Sequence, residues 1–450
     1  MTCLIYNDGM KFSVQEIIEV TGAKLLHKGI LEGFFEISTD TRQINPGDIY
    51  LPLRGENFDG HNFIDAAIRK GAIGYFTQDK HKINTDAEFV LYVKNALVAY
   101  LELANYIRNK INPKVVAITG SSGKTTVKEM LSGVLAKTFR THKSKLNHNN
   151  EIGLCQTMFS MPLDSEVVVV EMGMRNLGEI QLLSKYCEPD IAIITNVGSA
   201  HVEKLGNLKN IVSAKCEIVA HLKPDGVFIS NDNEKIRQKI RFVGEKHYFS
   251  VNDAQNIEIS QNSTKFSFDN SDYELTIEGE HNVENALLVI DTAKILGVAT
   301  AQIQEGLKEF KQIEKRWEIT NTKGFTIIND SYNANPESMR AVIKTVCSVY
   351  KKPLYLVLGN MAELGKDEIK YHKELGEFLN DLENKGFELL TVGDLARFIS
   401  VSTKCNSYNF ETLQDCAKFI VQHCPEGSTF LLKASRVMQF EKLIEEIEKI

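Results

Sequence analysis

The chain has 450 residues, of which 43% are hydrophobic and 25% charged, so it can bury large cores and form about three domains. The net charge of −7, without any basic tract, argues against a nucleic-acid partner. The eight cysteines include no C-x-x-C pair, no apolar run approaches the roughly 20 residues that a membrane helix needs, and no export signal opens the chain. We therefore expect a cytoplasmic monomer with reduced thiols, no membrane insertion and no bound nucleic acid.

The region up to about residue 110 alternates short strands with polar loops. Residues 37–42 (ISTDTR) and 54–61 (RGENFDGH) are polar and flank a predicted strand at 49–53. Such loops suit ligand binding better than core building. We predict a ligand-binding α/β domain over residues 1–110. The periodic pattern begins late enough to leave Met10 open as an alternative first residue.

The second region opens with an apolar run followed by small residues, a lysine and two hydroxyls. Glycines let the backbone approach phosphate oxygens, and the start of the next helix then faces the anion. Lys124 is predicted to contact the outer phosphates of a nucleoside triphosphate, and Thr125 a magnesium ion. The spacing departs from the common G-x-x-x-x-G-K-[ST] form, because Ile118 stands five positions before Gly123. The alternative is a plain turn with a solvated lysine. The predicted phosphate loop consists of Gly120, Ser121, Ser122, Gly123, Lys124, Thr125 and Thr126.

Strands and helices alternate through the rest of the chain, which predicts parallel sheets covered on both faces. In the second region the predicted strands are 115–119, 167–171, 191–196 and 227–230, and the predicted helices 127–139 and 208–222. In the third region the predicted strands are 325–329, 354–358, 389–392 and 429–432, and the predicted helices 336–349 and 435–450. We predict a central ATPase-type domain over 111–313 and a Rossmann-like domain over 314–450.

Two polar side chains follow predicted strands at the carboxyl edge of the central sheet. Glu171 ends one strand beside the phosphate loop, where a magnesium-holding acid belongs. His201 follows the strand at 191–196 and reaches the same edge. The alternatives are a glutamate that faces solvent and a structural histidine.

Lys215, in the predicted helix at 208–222, has two interpretations. By default it is an exposed charge. A lysine held near metal ions and a triphosphate is instead driven toward its neutral form, which can add carbon dioxide and become an anionic carbamate. Such a carbamate would offer oxygen atoms to a second magnesium ion.

Six segments, together and in this order, resemble the signatures of the Mur ligase family over nearly the whole chain. They are residues 119–126, 147–153, 171–173, 195–201, 214–218 and 279–286. Segments 329–339, 359–365 and 433–436 resemble the branch of that family that adds a D-alanyl-D-alanine dipeptide. Asn329 and Asn360 depart from the family pattern, which often has an acid at these positions.

The resemblance implies an ATP-dependent amide ligase. The carboxylate of UDP-N-acetylmuramoyl-tripeptide would attack ATP and form an acyl phosphate, which the amine of D-alanyl-D-alanine would capture. The products would be a UDP-muramoyl-pentapeptide precursor of peptidoglycan, ADP and phosphate. The first domain would hold the UDP moiety, and the third would bring contacts to ATP and the dipeptide.

The resemblance also implies residue roles. The catalytic set would be Lys124, Glu171, His201 and Lys215. Two magnesium ions would be held by Thr125, Glu171, His201 and carbamylated Lys215. ATP would further contact Asn282 and Asn285 near the adenine, and Arg316 and Asp330 near the phosphate and ribose. The substrate-binding set would be Ser38, Thr39, Asp40 and Arg42 for the uridine nucleotide, Asn149 and Asn150 for the muramoyl group, and Tyr332, Asn333 and Asn335 in the dipeptide-specific segment.

Two rival classes stay open at this point. One is another ligase of the superfamily, such as a folylpolyglutamate synthase or a tripeptide-forming Mur enzyme, and the residues from 331 to 336 speak against it. The other is a phosphate-loop kinase or regulatory NTPase, which would transfer phosphate without joining two molecules. The sequence also leaves open whether the third peptide residue is diaminopimelate or lysine.

Overall fold

The structure, a computed structural model, describes residues 10–29, 31–81, 83–145, 148–200, 202–311 and 316–450. His201, the possible start at Met1 and the predicted boundary at 313/314 lie outside the described residues. Within the described part of the chain, no helix combines the length and the apolar character needed to cross a membrane.

The N-terminal region is built on a five-stranded mixed sheet in the order β1-β7-β6-β3-β2. A short hairpin, β4-β5, stands beside it. The strands are β1 (Lys24–Lys28), β2 (Ile37–Ser38), β3 (Ile49–Tyr50), β4 (Arg54–Gly55), β5 (Phe58–Asp59), β6 (Gly74–Thr77) and β7 (Phe89–Tyr92). The helices are α1 (Val14–Thr21), α2 (Ile64–Arg69) and α3 (Ala96–Ile111).

The central region is built on a six-stranded sheet in the order β13-β12-β11-β8-β10-β9. Its strands are β8 (Lys114–Thr119), β9 (Thr141–Lys143), β10 (Val167–Glu171), β11 (Ile191–Ile194), β12 (Val227–Asn231) and β13 (Glu245–Phe249). The pairs β8–β11, β11–β12 and β12–β13 are parallel, so their carboxyl ends meet at one edge, where ligands bind in such sheets. A three-stranded antiparallel sheet follows, formed by β14 (Gln255–Ser260), β15 (Ser263–Phe268) and β16 (Ser271–Leu275).

The helices between β8 and the end of this region are mostly short. They are α4 (Lys124–Leu135), α5 (Glu151–Phe159), α6 (Glu179–Cys187), α7 (Val202–Leu205), α8 (Leu208–Cys216), α9 (Glu234–Lys239), α10 (Glu280–Ile295) and α11 (Thr300–Lys308). Strand β8 is buried from Val115 onward, so its apolar run forms part of the core as predicted.

The C-terminal region is built on a second six-stranded sheet, in the order β17-β18-β22-β19-β20-β21. Its strands are β17 (Glu318–Thr322), β18 (Phe325–Asn329), β19 (Leu354–Gly359), β20 (Glu388–Val392), β21 (Ser407–Phe410) and β22 (Thr429–Lys433). The edge strand β17 runs antiparallel to β18, and the pairs β18–β22, β22–β19, β19–β20 and β20–β21 are parallel. The helices are α12 (Pro336–Val349), α13 (Glu368–Asn380), α14 (Arg397–Ser400), α15 (Leu413–His423) and α16 (Glu441–Lys449).

Several predicted elements differ from the structure in their bounds. The helix expected at 127–139 is α4, which covers Lys124–Leu135, and the strand expected at 191–196 ends as β11 at Ile194. The strand expected at 49–53 is only β3, which covers Ile49–Tyr50. The helix expected at 208–222 ends as α8 at Cys216 and tightens into a 3₁₀ turn at Glu217–Val219, a common ending. The helix expected at 435–450 is divided because Gln439, at φ 49°, adopts a left-handed conformation that stops the first turn.

By contact density, the chain divides into two compact units. The first comprises Met1–Val115, His142–Val170 and Leu182–Glu188; the second comprises Val116–Thr141, Glu171–Gln181 and Pro189–Ile450. The phosphate loop and the C-terminal sheet belong to the second unit, and the polar loop at 37–42 belongs to the first. The domain boundaries at 110/111 and 313/314 stay predictions.

Candidate active site

The phosphate loop joins β8 to α4, as the sequence predicts. Gly120 packs so tightly against the neighbouring strand that a Cβ atom there would lie 1.9 Å from Oγ1 of Thr195. Gly123, at φ 77°, adopts a left-handed conformation and caps α4, which begins at Lys124. The amino end of this 12-residue helix therefore faces the loop, an arrangement that favours an anion.

The residues that follow β11 hold the phosphate loop in place. The side chain of Asn196 accepts a hydrogen bond from the Ser122 N–H (3.0 Å) and donates to the Ser122 carbonyl (3.2 Å) and hydroxyl (2.9 Å). The Ser121 hydroxyl accepts from the Gly198 N–H (2.9 Å) and donates to the Gly198 carbonyl (3.2 Å). Sequence reasoning missed Asn196 as a functional residue, although its place directly after a buried strand was the available signal.

A carboxylate, a hydroxyl and an ammonium group converge on this loop. Oγ1 of Thr125 donates to Oε2 of Glu171 (2.9 Å), and Nζ of Lys124 donates to the Gly120 carbonyl (2.7 Å). Glu171 is only 6% exposed, so the alternative of a solvent-facing glutamate is wrong. Burial lowers the pKa of Lys124; nearby Glu171 opposes that shift and nearby Arg316 adds to it.

A second lysine, Lys128, lies one turn further along α4 and was not predicted as a site residue. Its side chain is fully buried, and Nζ lies 3.7 Å from Oε2 of Glu171 and 3.2 Å from Oε1 of Glu129. Residues four apart share one face of a helix, so Lys124 and Lys128 line the same side of α4. A buried cation at this distance offsets part of the cost of burying the Glu171 carboxylate.

Lys215 is buried, with 1% of its surface exposed. The default interpretation of an exposed charge is therefore wrong. Burial lowers the pKa of Lys215 well below its usual range, and the nearby charge of Lys124 lowers it further. The amine is thus driven toward the neutral form that carbamylation requires.

The first turns of α10 place Asn282 and Asn285 in the interior. Nδ2 of Asn282 donates to the Glu278 carbonyl (2.7 Å). Asn285 lies against the phosphate loop, because a Cβ atom on Gly123 would be 2.8 Å from its Oδ1. The predicted contact of these two asparagines with adenine stays a prediction.

In the C-terminal region, residues 330–335 (segment 330–335) follow β18. The side chain of Lys433 contacts this segment. Nζ of Lys433 makes a short ion pair with Oδ2 of Asp330 and donates to the carbonyl oxygens of Asp330 (3.3 Å) and Asn333 (3.2 Å). Lys433 is 3% exposed. The Arg316 guanidinium lies over the Tyr332 ring, 4.1 Å from its centroid. The sequence marked residues 433–436 by resemblance only and gave Lys433 no role.

Comparison with known proteins agrees with this geometry. Three family models match the chain: the Mur ligase family catalytic domain at residues 35–121, the Mur ligase middle domain at 118–293 and the Mur ligase glutamate ligase domain at 315–436. UDP-N-acetylmuramoyl-tripeptide–D-alanyl-D-alanine ligase of Bacillus subtilis is 36% identical over 425 residues, which are 91% of this chain and 92% of that protein. The chain belongs to the Mur ligase family.

Solved structures of this family share the fold over nearly the full length. MurF from Acinetobacter baumannii has a TM-score of 0.91 at 29% identity and covers 98% of this Mur ligase and 100% of its own chain. MurF from Thermotoga maritima, solved in complex with ADP, has a TM-score of 0.83 at 28% identity, covering 92% and 97%. The predicted family and the predicted three-part α/β fold are therefore confirmed.

Several asparagines of this Mur ligase have structural partners. Asn335 caps α12 by accepting from the Ser338 N–H (2.8 Å), and Asn150 caps α5 by accepting from the Gly153 N–H (2.9 Å). Oδ1 of Asn333 accepts from the Ala334 N–H (2.9 Å). Asn360 replaces a frequent acid, and its Oδ1 accepts from the backbone N–H groups of residues 395 and 396. Roles of Asn149, Asn150, Asn333 and Asn335 in substrate binding stay predictions.

The polar loop at 37–42 of the first compact unit is half-buried at residues 37–41 and exposed at Arg42. Asp40 and Arg42 form a two-pronged ion pair, with Nε–Oδ1 3.0 Å and NH2–Oδ2 2.7 Å. The Arg42 guanidinium lowers the pKa of Asp40. Ser38 hydrogen-bonds to the backbone of Asp40, and Thr39 lies between them, half-buried. These side chains are held mainly by one another, and their contact with a uridine nucleotide stays a prediction.

Proposed function

We propose that this Mur ligase joins D-alanyl-D-alanine to UDP-N-acetylmuramoyl-tripeptide and converts ATP to ADP and phosphate. The observation that carries the proposal is the phosphate loop, on which Lys124, Thr125 and Glu171 converge. The chain that forms it is 36% identical to the UDP-N-acetylmuramoyl-tripeptide–D-alanyl-D-alanine ligase of Bacillus subtilis. The product would be the UDP-muramoyl-pentapeptide precursor of peptidoglycan. The reaction belongs in the cytoplasm, and we propose that a monomer performs it.

The chemistry follows from where the charges lie. Lys124 and the amino end of α4 would hold the triphosphate, so that the peptide carboxylate attacks the γ-phosphorus in line and ADP leaves. The acyl phosphate then reacts with the dipeptide amine, a C–N bond forms, and phosphate departs as the amine loses its proton. The positive charge of Lys124 would stabilise the anion that develops on the carbonyl oxygen. The chain supplies no covalent nucleophile in this scheme.

The residues at the phosphate loop fit magnesium. The Thr125 hydroxyl and the Glu171 carboxylate offer oxygen donors, which magnesium prefers. Bound magnesium would neutralise phosphate charge and polarise the reacting oxygens. We propose that these two residues hold one ion and that His201 and carbamylated Lys215 hold a second. The buried, neutral-leaning amine of Lys215 supports the carbamate.

The remaining predicted residues would bind the UDP substrate, the dipeptide and the rest of ATP. Ser38, Thr39, Asp40 and Arg42 would contact the uridine nucleotide, and Asn149 and Asn150 the muramoyl group. Segment 330–335 would serve both ATP, through Asp330, and the dipeptide, through Tyr332, Asn333 and Asn335. Arg316 would lie beside the phosphates, and Asn282 and Asn285 near the adenine. We propose the domains 1–110, 111–313 and 314–450 for these tasks.

Product analysis tests the activity. The purified chain is incubated with ATP, magnesium and each candidate pair of acceptor and amine. We expect phosphate release only with UDP-muramoyl-tripeptide and D-alanyl-D-alanine together, and mass spectrometry should find one new amide. A phosphorylated acceptor without an amide would point to a kinase. Labelled oxygen in the tripeptide carboxylate should appear in the released phosphate, and its absence would exclude the acyl phosphate.

A separate experiment tests the carbamate. Lys215→Ala should lose activity and regain part of it with added short-chain carboxylates, which can replace the carbamate oxygens. Lys209→Ala, an exposed lysine on the same helix, is the matched control and should keep full activity. Full activity of Lys215→Ala without any additive would remove Lys215 from the mechanism.

A further inference from the structure

Residues 195–199, which follow β11, connect two parts of the second compact unit (segment 195–199). On one side, Asn196 and Gly198 hydrogen-bond to the phosphate loop through Ser122 and Ser121. Thr195 adds a hydrogen bond from its hydroxyl to the Ser122 carbonyl (2.5 Å). The shape of the phosphate loop therefore depends on where this segment lies.

On the other side, the segment is held by the C-terminal region. Glu337, in the first turn of α12, accepts hydrogen bonds from the Ser199 N–H (3.0 Å) and the Ser199 hydroxyl (3.1 Å). Ser199 is buried, with 5% exposed, whereas Glu337 is exposed to solvent. Charge-assisted bonds of this kind are stronger than neutral ones, and here the carboxylate satisfies both donors of one serine.

Gly198 fits this contact because it has no side chain. A Cβ atom at that position would lie 2.5 Å from Cδ and 2.6 Å from Oε2 of Glu337. The carboxyl group of Glu337 would have to move away to make room. Gly198→Ala therefore offers a steric way to break the same contact that Glu337→Ala breaks chemically.

We propose that Glu337 is a positioning residue that couples the C-terminal region to the phosphate loop. This inference rests on the proposed use of ATP. Through Ser199 and segment 195–199, α12 holds Ser121 and Ser122 in the conformation that receives the triphosphate. Nucleotide affinity then depends on a side chain that belongs to the C-terminal region and does not itself contact the phosphates. Assembly of the nucleotide site is thereby tied to the position of α12, which directly follows segment 330–335.

Calorimetric titration of the full chain with ADP and with a non-hydrolysable ATP analogue tests this coupling. Glu337→Ala should weaken nucleotide binding by about three- to tenfold, the effect of losing one charge-assisted contact on an exposed side chain. KM for ATP should rise in parallel, while KM for the UDP substrate at saturating ATP stays unchanged. Glu337→Gln, which keeps an acceptor oxygen, should recover part of the loss.

A double-mutant cycle separates coupling from a general effect on the fold. Gly198→Ala should weaken nucleotide binding in the wild-type background and have little further effect in Glu337→Ala, because both remove one contact. The matched control is Asp253→Ala, since Asp253 accepts from the N–H (2.7 Å) and hydroxyl (3.2 Å) of Ser250 away from the loop. That variant should bind nucleotide normally.

Two outcomes would overturn the inference. One is unchanged nucleotide affinity in Glu337→Ala; the other is fully additive effects of Gly198→Ala and Glu337→Ala. Activity of the wild-type chain with both substrates is measured beforehand, so failure of the proposed ligase reaction is recognised separately. Nucleotide binding remains measurable in either case.

Discussion

The phosphate loop and the polar loop at 37–42 were both predicted as binding elements, yet they are built in different ways. Hydrogen bonds from the neighbouring segment 195–199 and a glycine packed against Thr195 hold the phosphate loop. The loop at 37–42 begins in strand β2, which pairs with β3, but the side chains of Asp40 and Arg42 are held mainly by their ion pair, and the Arg42 side chain is 87% exposed. The phosphate loop is therefore fixed by a neighbouring segment, whereas the Asp40 and Arg42 side chains of the other loop are fixed mainly by each other.

This difference has a consequence for binding. A loop already held in one conformation binds its ligand without the entropy loss of ordering it. An exposed side chain such as that of Arg42 loses conformational entropy when the ligand arrives. We expect substitutions at the phosphate loop to affect catalysis, and substitutions at 37–42 to affect mainly the affinity for the UDP substrate.

The largest expected effect is that of Lys124→Met. The substitution keeps most of the side-chain volume and removes the ammonium from the phosphate loop, so kcat should fall by about 10²–10³-fold, as when one electrostatic stabiliser of a transition state is lost. Steady-state phosphate release measures kcat and both KM values. Lys137→Met, at an exposed ion pair with Glu305, is the control and should be active. A kcat close to wild type for Lys124→Met would break the contrast between the two loops.

The next largest effect is expected for Lys433→Met. This variant tests whether the contacts of Lys433 hold segment 330–335 in its conformation. Removing one partner of a buried ion pair leaves Asp330 uncompensated and should lower the free energy of unfolding by about 3 kcal/mol. KM for ATP and for the dipeptide should both rise. Denaturant unfolding gives the stability.

The control for this variant is Lys223→Met, which breaks the partly exposed pair of Lys223 and Asp190 (3.0 Å). Its loss should be about 1 kcal/mol or less, as is typical of pairs near the surface. Equal losses in the two variants, with unchanged KM values, would show that Lys433 does not organise the segment.

The sequence predicts those parts of the site that a local pattern of residues marks. Helix α12 has the predicted bounds because an asparagine cap and Pro336 mark its start. The phosphate loop and Glu171 were predicted because a buried strand followed by small or acidic residues is visible within a few positions. The partners of these residues were missed because they come from distant parts of the chain. The position of Asn196 after a buried strand was a local signal, but no local pattern indicates that Glu337 contacts Ser199 or that Lys433 contacts Asp330.

A smaller effect is expected for the pH dependence of stability, through His281, which lies near Asp330 and Lys433. Burial lowers the pKa of His281 to about 4; nearby Asp330 opposes that shift and nearby Lys433 adds to it. Between this value and the ordinary pKa near 6.5, the unfolded chain binds a proton that the folded chain does not, so stability falls as pH falls. At pH 5 the loss should be about 2 kcal/mol relative to pH 7, as an upper estimate.

Thermal unfolding of wild type and His281→Gln between pH 4.5 and pH 7.5 measures this loss. The variant should show a weaker decline toward acid, whereas His81→Gln, at an exposed position, should follow the wild type. Parallel curves for wild type and His281→Gln would mean that His281 is accessible to protons in the folded chain.

The smallest expected effect is that of Arg42→Ala in the loop at 37–42. The guanidinium is exposed and pairs with Asp40, so its loss should leave the unfolding temperature nearly unchanged. KM for the UDP substrate should rise by about tenfold with kcat unchanged, because a contact made equally in ground and transition states is lost. Arg54→Ala, which removes the exposed ion pair with Asp59 (3.0 Å), tests whether any arginine of this unit has the same effect. If Arg42→Ala instead lowered kcat, the loop at 37–42 would take part in positioning the reacting groups, and the contrast with the phosphate loop would not hold.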